Sequence, residues 1–240
     1  TSKAEVEIRD IQIEGLFPAF EHRYERESVG KVRLSNTGNK PLETTLSISI
    51  PEIMDAPEEV QVYLRPETTE TVDLKASFDS RFRRGLQERP VRVEIEASYT
   101  RPGRPRRNVP GKGEAMIFPR NALQWRDIGV AAAIISPEEE GVEAFVDSVL
   151  EGSDRGGGTS LAVARTLFEA VGRHGIRYRP DPFTPYNQIV NRDSTVDHIQ
   201  YPSELLEKLE GDCDDCTVLY CSLLENAGVA TALIDAPGHI

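Results

Sequence analysis

The sequence Gly-Asp-Cys-Asp-Asp-Cys at positions 211–216 decides how the second half of the chain folds. Asp212 belongs to the preferred N-cap types, and Asp215, three positions later, can accept the backbone N–H of Asp212 and complete a capping box. Cys213 is then the first residue of a predicted helix that ends at the Asn-Ala-Gly sequence of 226–228. Its buried positions are expected to be Thr217, Leu219, Tyr220, Leu223 and Ala227.

The position of Cys213 favours a reactive thiol. Unpaired amides and the positive end of the helix dipole stabilise a thiolate. The neighbouring aspartates act in the opposite direction, because nearby negative charge disfavours a second anion. A short apolar strand is predicted over 229–235, and the Pro-Gly turn after it leads to His239. Cys213 and His239 are therefore the predicted nucleophile and general base of a thiol site.

The other cysteines and histidines have simpler interpretations. Cys216 and Cys221 are expected to be small packing residues on the helix. The C-x-x-C spacing of Cys213 and Cys216, together with His239, offers three zinc ligands as an alternative, but the partner pair of a typical zinc site is missing from the sequence. We therefore predict neither a metal nor another cofactor. The remaining histidines are expected to be surface or packing residues: His22, His174 and His198.

Helical patterns also precede this segment. Ser136, Pro137 and Glu139 suit the N-cap, N1 and N3 positions of a helix with a capping box. The glycine-rich stretch 152–158 ends that helix. Another is predicted from near Ser160 to Gly172 or Gly175, with Ala164, Leu167, Phe168 and Val171 facing inward. The long polar stretch 178–200 follows, and loops of that length often form the wall of a cleft.

The first half has a different period. From Glu5 to Phe118, apolar and polar residues alternate in about seven short runs separated by turn signals, which is typical of an immunoglobulin-like sandwich. The first run, Val6 to Ile13, changes phase in its middle, as a β-bulge would. We predict an all-β immunoglobulin-like sandwich over 1–119, a linker over 120–136, and an α+β core over 137–240.

Composition limits the class of protein. The 240 residues suffice for two domains, and 38% hydrophobic with 28% charged residues is typical of a globular chain. A net charge of −12 argues against nucleic-acid binding. No apolar run reaches the roughly 18 residues of a membrane helix. The arginine-rich sequence at 101–107 is expected to be a solvated loop between two strands, and a dedicated contact with an anion or polymer is the alternative.

The second half resembles a known superfamily. Residues from about Trp125 to the end look like the bacterial transglutaminase-like superfamily, which has a papain-like α+β fold. The resemblance lies in Tyr-Pro-Ser-Glu-Leu-Leu at 201–206, Gly-Asp-Cys-Asp-Asp at 211–215, Leu-Tyr-Cys-Ser-Leu-Leu-Glu at 219–225, and the segment 228–240 with its Gly-His pair. The first half resembles the CARDB-type sandwiches of bacterial surface proteins in the sequences at 34–42 and 64–72.

The transglutaminase-like resemblance implies acyl transfer, and hydrolysis of peptide or amide bonds is favoured over cross-linking. Cys213 matches the nucleophile of the superfamily and His239 matches its base. The orienting Asp is expected beyond residue 240, so the core is expected to be incomplete at its C-terminus and this chain inactive. The Cys213 amide is expected to donate to the oxyanion. Gln200, Tyr201 and Asp212 are the candidate oxyanion or cleft residues.

A contrasting hypothesis is an inactive transglutaminase-like interaction module, in which the sandwich is a binding or spacer domain. The expected partner is a peptide or protein substrate, not nucleic acid, and no membrane segment is expected in this chain. Apolar surface near the C-terminus is expected to be exposed or covered by a neighbouring chain. By analogy with other sandwich-bearing proteins, the setting is extracytoplasmic, in the periplasm or cell envelope.

Overall fold

The computed structural model describes residues 4–85, 87–125, 128–151, 159–180 and 195–234. The chain divides between Arg120 and Asn121 into two compact units. The first is β-rich and the second combines helices with short strands. Among the helices in these ranges, none combines the length and apolarity needed to cross a membrane.

Within the described part of the first unit, seven strands form two antiparallel sheets with the orders β1-β2-β5 and β4-β3-β6-β7. Alternating side chains build them: every second residue of β3, for example, is buried. A short helix, α1 (Glu21–Tyr24), lies between β1 and β2. The strands are β1 (Val6–Ile13), β2 (Gly30–Asn36), β3 (Leu42–Ser49), β4 (Glu58–Leu64), β5 (Thr69–Leu74), β6 (Arg89–Tyr99) and β7 (Arg107–Ile117).

The predicted bulge in β1 is confirmed. The pairing of β1 with β2 shifts register between Arg9 and Gln12, and Asp10 between them has a φ of 47°. The extra residue restores the phase of the strand, so that Ile8 and Ile11 both pack against the same apolar core.

Both sheets of the first unit contribute to one apolar cluster. Val32 and Leu34 come from the three-stranded sheet, and Leu46, Val93 and Ile95 come from the four-stranded sheet. At one edge, β1 approaches β7, and a bridge joins Leu16 to Ile117. The unit is therefore built as two sheets around a shared core.

Among the described residues of the second unit, three helices pack on a fourth. α2 (Glu140–Leu150), α3 (Ser160–His174) and α4 (Pro202–Lys208) contact α5 (Cys213–Asn226). Their shared core contains Val142, Val146, Leu167, Leu205, Leu219 and Leu223. Two small sheets flank the helices: β8 (Ala122–Gln124) with β10 (Val196–His198), antiparallel, and β9 (Arg177–Tyr178) with β11 (Glu210–Gly211), parallel.

The segment 120–136, which we expected to be a linker, contains β8 and a 3-10 helix at Ile128–Ile134. Leu123 and Trp125 are buried in it, and β8 pairs with β10. Apart from Arg120 and the undescribed residues 126–127, this segment is therefore part of the second unit rather than a linker.

The predicted start of α2 was wrong. The helix begins at Glu140, not after Ser136, and Glu139 is in the N-cap position. The reason is that both predicted capping residues bind elsewhere. The backbone N–H of Ser136 donates to Ser222 Oγ at 3.0 Å, and Glu139 Oε2 accepts the backbone N–H of Ser203 in the first turn of α4 at 2.9 Å.

The predicted limits of α3 are confirmed, whereas one of its inward residues is not. Thr159 caps its start and accepts the Ala162 N–H at 3.3 Å, and Gly175 ends it with a φ of 92°. Phe168, predicted to face inward, is 68% exposed. Its ring lies edge-on to Tyr220 at 5.9 Å, so the contact is at the surface of the helix pair.

The strand predicted over 229–235 was also wrong where the structure describes it. Residues 229–234 pair with no other strand in the described ranges, although their burial alternates as a strand's would. Val229 packs against the helical core, while Ile234 is largely exposed. An alternating pattern predicts an extended segment, but it does not predict whether another strand lies beside it to form hydrogen bonds.

The helical core gives a matched pair of variants within α3. Leu167→Ala removes a fully buried side chain and is expected to lower the free energy of unfolding by about 2–5 kcal/mol. Leu161→Ala is the control, because Leu161 is 79% exposed, and its effect should stay within about 0.5 kcal/mol. Urea unfolding followed by fluorescence of Trp125, the single tryptophan, reports on this unit. Equal effects of the two changes would contradict the packing of α3.

Candidate functional site

The start of α5 has the predicted local structure. Cys213 is the first helical residue and Asp212 is the N-cap residue. Asp215 Oδ2 accepts the backbone N–H of Asp212 at 3.2 Å, which is the predicted capping-box bond. Gly211 is required before them, because a Cβ there would lie 2.7 Å from Leu205 Cδ1 and 2.9 Å from Asp215 Cβ. The thiol is therefore placed by a firmly held helix start.

Asp215 is buried and accepts hydrogen bonds from Gln200. The backbone N–H of Gln200 donates to Oδ1 at 2.6 Å, and Gln200 Nε2 donates to Oδ2 at 2.7 Å. Burial raises the pKa of Asp215, and the bonds from Gln200 partly offset that rise. Gln200 Nε2 also donates to the carbonyl of Glu210 at 2.9 Å. Both amide hydrogens of Gln200 are thus engaged, so this side chain positions Asp215 instead of offering a donor at Cys213.

Asp197 is a second buried carboxyl beside the helix start, and the sequence analysis missed it. Trp125 Nε1 donates to Asp197 Oδ2 at 2.7 Å, and the backbone N–H of His198 donates to Oδ1 at 2.9 Å. The pairing of β8 with β10 brings Asp197 and Trp125 together across 72 positions of sequence. A single aspartate inside a polar stretch carries no local signal of such burial.

Burial and the neighbouring carboxyls favour the protonated form of Asp214. It is 3% exposed, and burial, followed by a hydrogen bond with Asp212, raises its pKa to about 10. The charges of Asp212, Asp197 and Asp215 act in the same direction. Ionisation of Asp214 beside Cys213 is thus disfavoured, while the charges of the neighbouring aspartates raise the pKa of Cys216, in the direction that we expected for a thiol next to acidic residues.

Tyr178 also lies at Cys213, which the sequence analysis missed. The parallel pairing of β9 with β11 places Tyr178 opposite Gly211, two residues before the thiol. Its hydroxyl is in hydrogen-bond reach of Cys213. Partial desolvation of the hydroxyl, followed by the charge of the neighbouring Cys213, raises the pKa of Tyr178 although the side chain as a whole is 61% exposed. The phenol therefore keeps its proton and can donate. Only the pairing of two distant segments creates this contact, and we had placed Tyr178 in a polar loop.

The three cysteines differ in their surroundings. Cys213 is partly exposed, whereas Cys221 is buried. Burial, followed by the charges of the neighbouring aspartates, raises the pKa of Cys216 to about 11. Burial also raises the pKa of Cys221. Both are therefore thiols near pH 7, which is consistent with packing roles.

The zinc alternative required Cys213, Cys216 and His239. Within the described residues, the potential ligand atoms that approach one another, to within 4.8 Å, belong instead to Asp212, Cys213 and Asp214. We continue to predict a site without a metal or other cofactor.

The other predicted site residues are placed as follows. Tyr201 precedes α4, and its carbonyl accepts the Leu205 N–H at 3.0 Å. His239 lies outside the described residues. A groove of about 640 Å³ in the second unit borders the helix start at Gly211. It is lined by Asn121, Arg179, Pro180, His198, Gln200, Lys208, Glu210 and Gly211.

Comparison with known proteins shows weak similarities only. No model of a protein family matches the sequence, and no curated protein matches it. A solution structure of a putative late embryogenesis abundant protein is 15% identical, with a TM-score of 0.30, over 48% of this chain and 71% of that one.

Two matching chains are alpha-2-macroglobulin from Escherichia coli. The crystal structure that spans domain MG7 to the C-terminus is 13% identical, with a TM-score of 0.32 over 78% of this chain. The native conformation seen by cryo-EM is 11% identical, with a TM-score of 0.32 over 92% of this chain. The matches span 32% and 13% of those two macroglobulin chains. These scores are too low to argue for a fold or a function.

The protonation of Asp214 predicts how stability depends on pH. The native pKa of about 10 lies above the ordinary value of 3.8, so this carboxyl's stabilising contribution is complete below pH 3.8 and is lost as pH rises towards 10. Asp214→Asn cannot ionise in either state. Its free energy of unfolding should therefore rise relative to the parent between pH 5 and 9, by up to about 1.4 kcal/mol per pH unit.

Urea unfolding at several pH values, followed by Trp125 fluorescence, measures this difference. Glu207→Gln is the control, because it removes an exposed carboxyl from neighbouring α4 and should leave the pH slope unchanged. Identical slopes for Asp214→Asn and the parent would show that Asp214 ionises normally in the folded protein.

Proposed function

We propose that, in the full-length protein, Cys213 carries out thiol-dependent acyl transfer on peptide or amide bonds, with hydrolysis favoured over cross-linking. In this proposal, the second unit is a transglutaminase-like core of papain-like type and the first is an immunoglobulin-like sandwich of CARDB type. The observation that supports the proposal is a partly exposed thiol at the first residue of a 14-residue helix, surrounded by carboxyls that are protonated or held by N–H donors.

The electrostatic balance at the helix start supports a thiolate. The protonated form of Asp214 is favoured, and Asp197 and Asp215 each accept hydrogen bonds from at least two N–H donors. These donors satisfy the carboxylates locally, so less of their charge opposes a second anion at Cys213. The amides of the first helical turn then favour the thiolate.

The proposed reaction begins when Cys213 Sγ attacks the substrate carbonyl and its proton passes to His239, the base that the resemblance assigns. The C–N bond then breaks, and the departing amine takes that proton. Water attacks the resulting thioester and releases a carboxylic acid, which restores the thiol. Cross-linking would follow if an amine replaced the water.

Tyr178 is a better candidate than Gln200 for the second oxyanion donor. Its protonated hydroxyl already reaches Cys213, whereas the Gln200 amide is bound to Asp215 and Glu210. The Cys213 backbone N–H, in the first turn, remains the first donor. The groove beside Gly211 offers room for a peptide chain, and the first unit would serve as a spacer or partner-binding domain in an extracytoplasmic protein.

Alkylation of the three cysteines tests whether Cys213 is the nucleophile. Cys213 is expected to react with iodoacetamide at least about tenfold faster than Cys216 and Cys221 at pH 7, because a thiolate is the reactive form. As the pH is raised, the alkylation rate of Cys213 should reach its plateau before pH 7.5. Peptide mapping by mass spectrometry at a series of pH values gives the rate at each cysteine.

The pH profile separates reactivity from simple exposure. In His239→Ala, the midpoint of the curve of Cys213 alkylation rate against pH should move to a higher pH, towards an ordinary thiol pKa of about 8.5. An exposed but ordinary Cys213 would instead show that high inflection in the parent protein and no change in the variant. That outcome would favour the inactive interaction module.

Tyr178→Phe tests the proposed oxyanion donor. With the full-length protein and p-nitrophenyl acetate, the stoichiometric burst that acylates Cys213 should slow by about 10²-fold, because one oxyanion donor is lost. Tyr63→Phe is the control, since Tyr63 is exposed to nearly the same extent, 59% against 61%. Stopped-flow absorbance of nitrophenolate measures the burst, and Cys213→Ala should abolish it. An unchanged burst rate in Tyr178→Phe would remove this residue from the mechanism.

A further inference from the structure

The arginine-rich loop between β6 and β7 is held in place by its own side chains. Arg101 is only 18% exposed and forms an ion pair with Glu5. Its guanidinium also donates to the carbonyl of Pro41 at 3.2 Å. Arg106 donates to Ser98 Oγ at the other end of the loop. Two of its arginines therefore anchor the ends of the loop, while residues 102–106 are exposed, as expected for a solvated loop.

A pocket of about 150 Å³ lies against this loop, lined by Glu5, Tyr99, Arg101, Arg104, Pro105 and Arg107. At about 30 Å³ per water molecule, the volume is enough for a small oxyanion. Three guanidinium groups and one carboxylate line it, which leaves a surplus of positive charge in a chain whose net charge is −12. Positive surplus in an acidic protein indicates a site for an anion.

The lining donors come from two paired strands and from the turn that joins them. Tyr99 and Arg107 are directly paired across the β6–β7 hairpin, and Arg104 comes from the turn between those strands. The Tyr99 hydroxyl accepts the Glu5 N–H at 2.9 Å, so its own proton can be donated elsewhere. The Arg104 side chain forms no hydrogen bond or ion pair with another described residue. It therefore has its full donor capacity for a ligand.

We propose that this pocket, defined by Tyr99, Arg101, Arg104 and Arg107, binds a phosphate group. Guanidinium forks match the spacing of phosphate oxygens, and a tetrahedral dianion can accept from donors on several sides at once. The site lies entirely in the first unit and does not depend on the chemistry proposed for Cys213. The group is either the free anion or a monoester on a larger molecule.

NMR titration with inorganic phosphate at constant ionic strength tests the proposal. Saturable shifts are expected for the backbone amides of 99–107. Arg104→Gln should weaken binding at least about tenfold, the effect of losing one charged hydrogen bond, and the double change with Arg107→Gln should abolish the saturable shifts. Arg26→Gln is the control: it removes the same charge from an exposed arginine of this unit and should change the dissociation constant less than twofold.

A parallel titration with glycerol 1-phosphate separates the two sources of the ligand. Comparable affinity for both compounds would assign the pocket to a phosphate monoester, and binding of inorganic phosphate alone would assign it to the free anion. Either result supports the site. The proposal is overturned if neither compound gives saturable shifts in this loop, or if Arg26→Gln weakens binding as much as Arg104→Gln.

Discussion

Burial of four carboxyl groups around one helix start is the constraint on which the second unit depends. Asp197, Asp212, Asp214 and Asp215 are each no more than 4% exposed. A carboxylate removed from water without donors is strongly destabilising. Hydrogen bonds from N–H donors stabilise Asp197 and Asp215, and the raised pKa of Asp214 favours its protonated form.

The same constraint explains the arrangement of the small strands. β10 delivers Asp197 to Trp125, and the residues just after β10 deliver Gln200 to Asp215. Gln200 also binds the carbonyl of Glu210 in β11, whose partner β9 carries Tyr178. Short strands of two or three residues contribute few backbone bonds, so side-chain bonds to buried carboxyls do much to hold these segments. The hydrogen bonds that stabilise the buried carboxyls thus also determine which segments surround Cys213.

Much of the fold followed from local pattern. Alternation marked the strands of the first unit and even the bulge in β1, and the cap and glycine signals marked α3 and the start of α5. Prediction failed where a distant partner decides the outcome. Glu139 caps α4 instead of its own helix, Phe168 faces a neighbour at the surface, and 229–234 has no described strand beside it. The pairing of β8 with β10 places Asp197 near Cys213, and the pairing of β9 with β11 places Tyr178 there. No local sequence pattern predicts either pairing.

The bond from the Glu5 N–H to the Tyr99 hydroxyl joins positions 94 apart, and the Arg101–Glu5 ion pair joins positions 96 apart. β1 itself pairs with nearby β2, but its approach to β7 closes a loop of most of the first unit. Contacts of such sequence separation form only after a large loss of chain entropy. A growing chain therefore cannot form these contacts until both strands have been synthesised.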